Sequence, residues 1–365
     1  MFSFRKYYLF LSSFNSFLFD LPSPSSISYF WNFGSLLGFF FFSQILTGIF
    51  ISMHYSGDVL LSFMGVVDMS RNVFYGWGIR SFHSNGASFF FFCLYFHLGR
   101  GLYYESYGFF SVWSVGVVIF LLSMMIAFLG YVLPWGQMSF WGATAITSLV
   151  SVIPYLGEFI VSWLWGGFSI DNATLNRFYT LHFLVPFILL LFVFVHLVFL
   201  HDLGSSNPLG VGFNIDSVSF HPYYVLKDLF GVFVFFLFFF ISVYFSFFFM
   251  DPDNFIPANS LVTPVHIQPE WYLLFAYAIL RSIPSKLGGV FSLVFVFFLL
   301  VPMFNGFSFS VNYYSFYVSF LFWILVGVFF ILTWIGMNPA EYPYIFVGQL
   351  FSFFYYFLVL FKIYY

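Results

Sequence analysis

Charged residues are the scarcest feature of this 365-residue chain. Asp, Glu, Lys and Arg make up only 6% of it, whereas 62% of the residues are hydrophobic and the mean hydropathy is +0.98. A soluble domain carries about 25% charged residues, so this composition cannot build a water-facing surface. The formal net charge is −3 and no basic run occurs, which argues against a nucleic-acid partner. The composition therefore predicts an all-α integral membrane protein embedded in a lipid bilayer.

Cysteine is nearly absent as well, because Cys93 is the one cysteine in the sequence. This count excludes a disulfide framework, a cysteine-ligated iron–sulfur cluster, a thiolate zinc site and covalent haem attachment through Cys-x-x-Cys-His. The first residues do not resemble a cleavable presequence. Together with 67 phenylalanines, which are typical of a thymine-rich genome, this suggests a protein encoded in an organelle.

Uncharged stretches predict the membrane spans, at about 20 residues for each crossing. The stretch from Leu287 to Ala340 has no charge, and as one helix it would measure ~80 Å against a hydrocarbon core of ~30 Å. It must fold back, and Pro302, Asn305 and Gly306 mark the turn. The sequence thus predicts eight transmembrane helices, two of them within 287–340 and the others at about 32–53, 77–103, 111–133, 173–201, 229–250 and 342–361.

Two connections between the spans are too long to be simple turns. Residues 134–171 are rich in Trp, Gly and Pro, which suits interfacial helices at about 137–166, and 251–286 contains several prolines. Irregular backbone at membrane depth must pack on protein or line a cavity, so we expect a binding site in these loops. We predict an N-terminal domain over 1–210 and a C-terminal domain over 211–365 that includes the 251–286 loop.

Four histidines form two pairs with the same spacing. His83 and His97 lie 14 residues apart on the second predicted span, and His182 and His196 lie 14 apart on the fourth. Fourteen residues are almost four helical turns, so each pair shares one face and is separated by ~21 Å along the axis. A lone membrane histidine is more often an interior hydrogen-bonding group or a proton relay. Two matching pairs instead predict two stacked bis-histidine haem sites. Zinc is a poor alternative, because it usually takes four protein ligands and each pair offers two.

Glycine follows the same 14-residue period on the first and third predicted spans. A missing side chain lets a planar macrocycle press against a helix, although small residues also serve plain helix packing. The spacing favours contact with the edges of haem, at Gly34, Gly48, Gly116 and Gly130. Arg80 and Arg100 lie three residues outside His83 and His97, where they could pair with haem propionates or anchor the helix at the interface.

Local strings then resemble the mitochondrial cytochrome b family over nearly the whole chain. They are Trp31-Asn32-Phe33-Gly34-Ser35, the run from Gly130 through Pro134-Trp135-Gly136 to Ala143, and Pro269-Glu270-Trp271-Tyr272 with its continuation to Pro284. The chain departs from the family at Gln268, where a lysine is frequent, at Ser26, where an asparagine is usual, and at about 303–316, which lacks the usual basic residues. Residues 1–20 resemble nothing informative.

The resemblance implies specific roles for residues of this chain. His83 and His182 would ligate a low-potential haem b, and His97 and His196 a high-potential haem b. The quinol-oxidation site would be lined by Glu270, Tyr272, Tyr131, Gly142 and Tyr277, and the quinone-reduction site by His201, Ser35, Ser205, Lys227 and Asp228. Glu270 would be the proton acceptor. Burial would raise its pKa and a helix start would lower it, so the sequence leaves the direction open.

The resemblance also implies a complete function. The chain would be the haem-bearing, ubiquinone-binding subunit of ubiquinol–cytochrome c oxidoreductase, complex III, and would contribute to proton translocation. It would lie in the mitochondrial inner membrane, in a dimeric complex with a Rieske iron–sulfur protein, a cytochrome c1-type subunit and further subunits. Such partners are needed because the chain itself offers no cysteines for an iron–sulfur cluster or a covalent haem.

Four other interpretations remain open at this point. A transporter or channel would not require two histidine pairs at one spacing. A haem–copper oxidase core would need further clustered histidines, which His54, His221 and His266 at the span ends do not supply. A structural di-haem anchor would have no reason to carry the 269–284 string. The chloroplast-type counterpart is divided into two polypeptides, whereas this chain is continuous.

Overall fold

The computed structural model describes residues 4–210, 212, 216–301 and 316–364, and most of these are helical. Short 3-10 turns occupy 29–31, 106–108, 149–152, 252–255 and 271–273. The α-helices are α1 (Phe4–Tyr7), α2 (Leu9–Leu18), α3 (Phe33–Ser52), α4 (Ser62–Arg71), α5 (Gly76–Tyr103), α6 (Phe110–Val132), α7 (Gln137–Ser148), α8 (Gly157–Trp165), α9 (Asn172–Leu203), α10 (Tyr223–Tyr244), α11 (Leu274–Ser282), α12 (Lys286–Phe298), α13 (Phe316–Gly336) and α14 (Tyr344–Tyr364).

Within the described residues, six helices are long and apolar enough to cross a membrane: α3, α6, α9, α10, α13 and α14. The other two predicted spans correspond to α5 and α12. Helix α5 is less apolar because it carries histidines, arginines and buried polar residues, among them Ser81, Asn85 and Ser88. Its polar groups face protein: the Asn85 amide donates to the Ser242 carbonyl at 2.9 Å, and the Trp271 indole donates to the Ser88 hydroxyl at 3.2 Å.

Helix α12 has 13 residues, which is ~20 Å of helix and shorter than the membrane core. The predicted turn at Pro302, Asn305 and Gly306 lies outside the described residues. Apart from that turn, the helical framework of the eight predicted spans is present as six apolar helices, the more polar α5 and the short α12.

The fifth span begins earlier than predicted. The charges of Lys227 and Asp228 suggested a start at 229, but α10 begins at Tyr223 and includes both residues. They are tolerated because each has a partner: the Lys227 ammonium donates to the Ile27 carbonyl at 2.6 Å, and Asp228 lies beside the Ser35 hydroxyl. Paired charges in the first helical turns therefore do not end a helix.

The first four spans form a bundle made of two helix pairs. Helix α3 packs along α5, and α6 packs along α9. A cluster of fully buried side chains around Phe40 and Phe239 joins α10 to α3 and α5. A second cluster joins α5 and α6 to α11–α14. Helices α9 and α10 expose large apolar side chains such as Leu191 (67% exposed) and Phe238 (62% exposed), as lipid-facing helices do.

A small antiparallel sheet links the two halves of the sequence. Strand β1 (Pro22–Pro24) pairs with β2 (Ser217–Ser219), with Ser23 opposite Val218. The domain boundary predicted at 210 remains a prediction. Strand β2 and helix α10 follow this boundary in the sequence, and both pack on elements that precede it.

Candidate functional site

The four predicted histidines meet between the two helix pairs. His83 of α5 faces His182 of α9 with 6.1 Å between ring centroids, and His97 of α5 faces His196 of α9 with 6.4 Å. The two pairs are stacked along the bundle because each helix carries one histidine of each pair. The structure therefore brings the four histidines together as two stacked pairs, as the 14-residue spacing predicts, and joins the partners that the family resemblance implies.

The ring separations fit one metal ion between each pair. An imidazole nitrogen lies about 2 Å from a bound transition metal and the ring centroid about 1 Å further out, so two opposed ligands place their centroids about 6 Å apart. Among the described residues no group of three or more His, Cys, Asp or Glu side chains converges on a point. A pair of imidazoles suits an iron whose other four ligands come from a macrocycle, so His83/His182 and His97/His196 could each hold a haem.

The second ring nitrogen also has a hydrogen-bond partner at two of these histidines, His83 and His182. His182 Nδ1 lies 2.8 Å from the Ile126 carbonyl, and His83 Nδ1 lies 2.9 Å from the Thr47 hydroxyl. The Val112 carbonyl lies beside His196. An acceptor at Nδ1 fixes the proton there and leaves the Nε2 lone pair for a metal. His83 and His182 are thus oriented as ligands by their own neighbours, whereas His196 Nδ1 is buried beside the Val112 carbonyl without a hydrogen bond to it.

His97 differs, because its Nδ1 lies 3.3 Å from the Arg100 guanidinium, which can only donate. For Nε2 to bind a metal, Nδ1 must carry the proton, and Arg100 must then turn away. Arg100 also stacks over the Trp31 ring at 4.9 Å, and its Nε is buried without a partner. Arg100 is therefore available to an anionic group beside His97.

Arg80 is similarly placed at the other end of α5. Its guanidinium contacts the Met250 sulfur at 2.8 Å, a weak acceptor, and lies within electrostatic range of Glu270. Among the described residues, the ion pairs are Lys6–Asp20 and Lys362–Glu105, so neither Arg80 nor Arg100 is paired with a carboxylate. Both cations fit the predicted role of holding a carboxylate such as a propionate.

The four glycines each lie against one of the four histidines. A Cβ atom at Gly130 would lie 2.4 Å from His182 Cε1, and one at Gly48 would lie 3.1 Å from His83 Cε1. The corresponding distances are 3.2 Å from Gly116 to His196 and 3.4 Å from Gly34 to His97. The missing side chains therefore make room for the imidazole rings. Contact between these glycines and a macrocycle remains a prediction.

The two long loops form a second candidate site beside the His83/His182 pair. Gly136 and Pro257 make an isolated antiparallel bridge, and the Gln137 amide donates to the Ile256 carbonyl at 2.9 Å. The Asn254 side chain accepts a bond from the Ser139 amide at 2.9 Å. The start of α7 and the 252–262 segment are thus held together as one unit, as expected for loops that line a site.

Glu270 lies further along the 251–286 loop, close to two other residues predicted for the same site, Tyr272 and Tyr131. Burial raises its pKa to about 8, with the nearby Asp251 carboxylate adding to the effect and Arg80 opposing it. Burial, and then the charge of Glu270 and the proximity of Tyr131, raise the pKa of Tyr272 well above its ordinary value. The Tyr272 ring is held by stacking on Phe91 at 4.1 Å. Glu270, Tyr272 and Tyr131 therefore share one electrostatic environment, and burial decides the direction that the sequence left open.

The other two residues predicted for this site, Tyr277 and Gly142, have different surroundings. The Tyr277 hydroxyl donates to the Ile267 carbonyl at 3.0 Å, and the Arg281 guanidinium lies 4.6 Å above the Tyr277 ring. A Cβ at Gly142 would have nothing within 4 Å, so this position of α7 faces open space. Tyr277 thus braces the loop that carries Glu270.

Three of the five residues predicted for the quinone-reduction site lie close together in the structure. Ser35, Lys227 and Asp228 lie together between α3 and α10, where the Lys227 ammonium also lies 4.8 Å above the Tyr29 ring. The amide of Asn32 ties α3 to α10 by donating to the Lys227 carbonyl at 2.8 Å. His201 lies in the last turn of α9, and Ser205 lies just after this helix.

Comparisons with known proteins agree with this geometry. The family described as cytochrome b/b6/petB matches residues 18–204, and the family described as cytochrome b(C-terminal)/b6/petD matches residues 257–357. The chain belongs to the cytochrome b family. A solved chain from a hyperthermophilic respiratory Complex III is 30% identical, with a TM-score of 0.89 over 97% of this chain and 96% of that one. As a member of the cytochrome b family the protein is a multi-pass, helical membrane protein.

The sequence alone did not indicate three side chains that shape the two candidate sites of this cytochrome b. Thr47 bonds a predicted ligand, and Ser139 and Asn254 hold the two loops together. Thr47 directly precedes Gly48, so a comparison of the residues next to the four glycines would have revealed it. Ser139 and Asn254 are far apart in sequence, and nothing in either local string indicates their pairing.

Proposed function

We propose that this cytochrome b is the haem-bearing, quinone-binding subunit of a ubiquinol–cytochrome c oxidoreductase. It would oxidise quinol at one membrane face and reduce quinone at the other, and so contribute to proton translocation. The family and the likeness to a Complex III chain support the coarser part of this proposal, a haem-bearing subunit of a respiratory chain.

One observation carries the proposal: two opposed imidazole pairs, 6.1 and 6.4 Å apart, stacked in one bundle. In our proposal His83 and His182 hold the low-potential haem b, and His97 and His196 the high-potential one. Non-covalent haem at two depths would supply one-electron chemistry across the membrane. The protein's contribution would be to fix the His83 and His182 imidazoles through their Nδ1 partners and to leave Arg80 and Arg100 for the propionates.

Glu270 would accept a proton from quinol. A general base works best when its pKa lies near the ambient pH, and a value of about 8 meets that condition. Arg80 favours the ionised carboxylate, while burial and Asp251 disfavour it. Tyr272, Tyr131, Tyr277 and Gly142 would shape the pocket around this carboxylate.

Quinone reduction would take place near Ser35, Lys227 and Asp228, with His201 and Ser205 approaching from α9. An ammonium, a carboxylic acid, hydroxyls and an imidazole offer the donors that a reduced quinone needs for its protons. The two proposed quinone sites lie near opposite ends of α5, since Glu270 neighbours Arg80 and the Lys227 region lies near Trp31 and Arg100.

We further propose that the protein lies in the mitochondrial inner membrane, is encoded in the organelle, and works in a dimeric complex with a Rieske iron–sulfur protein and a cytochrome c1-type subunit. Co-purification from inner membranes, together with sequencing of organellar DNA, tests this part on its own.

The function is tested by purifying the complex that contains this chain. We expect two extractable b haems for each chain in the pyridine haemochrome assay, and cytochrome c reduction driven by ubiquinol. A purified complex with no b-type absorbance, or with haem that quinol does not reduce, would reject the proposal and favour a transporter or a structural haem anchor.

A further inference from the structure

The four glycines occupy equivalent positions, yet their neighbours in the sequence are not equivalent. Each glycine faces one histidine of the quartet. The residues that directly precede them are Phe33, Thr47, Val115 and Leu129. Three of these side chains are apolar, whereas Thr47 can donate and accept hydrogen bonds. Thr47 therefore breaks the fourfold pattern at the glycine that faces His83.

The hydrogen bonds of Thr47 fix the direction of its contact with His83. Its hydroxyl lies 2.6 Å from the Ser43 carbonyl, four residues earlier in α3, and must donate its proton there. The hydroxyl oxygen also lies 2.9 Å from His83 Nδ1, so it can only accept from that nitrogen. The proton of His83 consequently lies on Nδ1, and the Nε2 lone pair is left for a metal.

No side-chain acceptor takes this place at the other three histidines in the described part of the chain. His182 and His196 face the main-chain carbonyls of Ile126 and Val112, and His97 faces the guanidinium of Arg100. His83 also has a main-chain carbonyl nearby, that of Gln44. The Thr47 hydroxyl is thus an additional acceptor, present at one iron position and absent from the other.

We propose that Thr47 is a positioning residue that lowers the reduction potential of the iron centre held by His83 and His182. This proposal rests on the proposed function, since it requires that the pair bind haem. An acceptor at Nδ1 draws the proton away from the ring and makes the imidazole a stronger electron donor through Nε2. A stronger donor stabilises the oxidised iron more than the reduced iron, so the potential falls. The effect is confined to one centre because Thr47 contacts His83 alone among the four histidines.

The test is a redox titration of the b-type absorbance in the purified complex, with low-temperature EPR of the oxidised form. Thr47→Val keeps the shape of the side chain and removes the hydroxyl that accepts from His83 Nδ1. Thr47→Ser retains this hydroxyl. We expect Thr47→Val to raise the potential of the lower centre and shift its EPR signal, with the higher centre unchanged. Thr47→Ser should restore the wild-type potential. An unchanged potential in Thr47→Val, or an equal shift of both centres, would overturn the proposal.

A gain-of-function variant keeps the test decisive if Thr47→Val fails to assemble. Val115 precedes Gly116 as Thr47 precedes Gly48, so Val115→Thr places a hydroxyl at the equivalent position beside His196. We expect this variant to lower the potential of the His97/His196 centre alone. No downward shift in a variant that binds both haems would contradict the proposal. Absence of two b haems from the wild-type complex is a different result, because it would reject the proposed function itself.

Discussion

At the scale of single residues, the clearance at the glycines sets how much each position tolerates. A Cβ 2.4 Å from the His182 ring cannot be accommodated without moving the ring, whereas one 3.4 Å from the His97 ring makes an ordinary contact. The His182 ring cannot move freely, because its Nδ1 is hydrogen-bonded to the Ile126 carbonyl. One added methyl group should therefore act differently at two positions that look alike in the sequence.

We predict that Gly130→Ala removes most of the haem held by His83 and His182, and that Gly34→Ala retains both haems. Larger side chains such as leucine at 130 should have the same effect as alanine or a stronger one. Reduced-minus-oxidised spectra of the two variants, normalised to protein, check this. Full haem content in Gly130→Ala would mean that the glycine serves helix packing only.

Glu270 is predicted to control the pH dependence of quinol oxidation. With its pKa raised to about 8, the carboxylate is protonated and unable to accept a proton at lower pH, and it becomes available as the pH rises. The rate should therefore rise with pH through about 8. Glu270→Gln should slow quinol-driven cytochrome c reduction at least tenfold, since general bases typically contribute ~10²–10⁴-fold, and should flatten that rise.

Glu158→Gln serves as the matched control for this variant, because Glu158 is an exposed carboxylate in the first turn of α8. It should leave both the rate and the pH profile unchanged. Normal turnover with the wild-type pH profile in Glu270→Gln would show that another group accepts the proton.

The histidine quartet could be predicted from the sequence because a helix converts regular spacing into a shared face. His83 and His97 are 14 residues apart, and so are His182 and His196, which predicts two stacked sites. The spacing is the same for parallel and antiparallel helices, so which histidines face each other followed from the family resemblance. The roles of Thr47 and Asn254 could not be predicted in this way. Their partners depend on how α3 approaches α5 and on how two distant loops meet, and neither follows from a local period.

At the scale of secondary-structure elements, the start of α10 shows that charged residues do not always mark the boundary of a membrane helix. The charges of Lys227 and Asp228 predict that both residues precede the helix, yet they lie within it and face α3 and the segment before it. A helix that crosses a membrane accepts such residues when a neighbouring element offers partners at the same depth. This packing is what places Asp228 beside Ser35 in the proposed quinone-reduction site.

We predict that Asp228→Asn slows reoxidation of the high-potential haem by quinone while leaving its absorption band intact. Asparagine keeps the size of the side chain but removes the acidic proton that a reduced quinone would take up. His201→Leu should have a similar effect if α9 contributes to this site. Stopped-flow reoxidation measures both, with Asp68→Asn as the control, because Asp68 is an exposed carboxylate of α4. Unchanged kinetics in Asp228→Asn would place the reduction site elsewhere.

At the scale of the whole molecule, the arrangement of two helix pairs explains why the two proposed cofactor sites are stacked. Helix α3 lies on α5 and α6 lies on α9, so the histidines of α5 and α9 face each other across the space between the pairs. Each site is then closed by a glycine from α3 and one from α6. The bundle therefore builds both sites by the same rule, and each site takes one ligand from each of two helices.

This division of ligands is the central claim, and haem content in two single variants tests it most directly. His97→Leu and His196→Leu lie on different helices but belong to the same site. A redox titration of the b-type absorbance in each purified variant should show one remaining centre, the same in both, with the potential of the lower wild-type centre. Loss of different centres in the two variants, or retention of both centres in either one, would contradict the account.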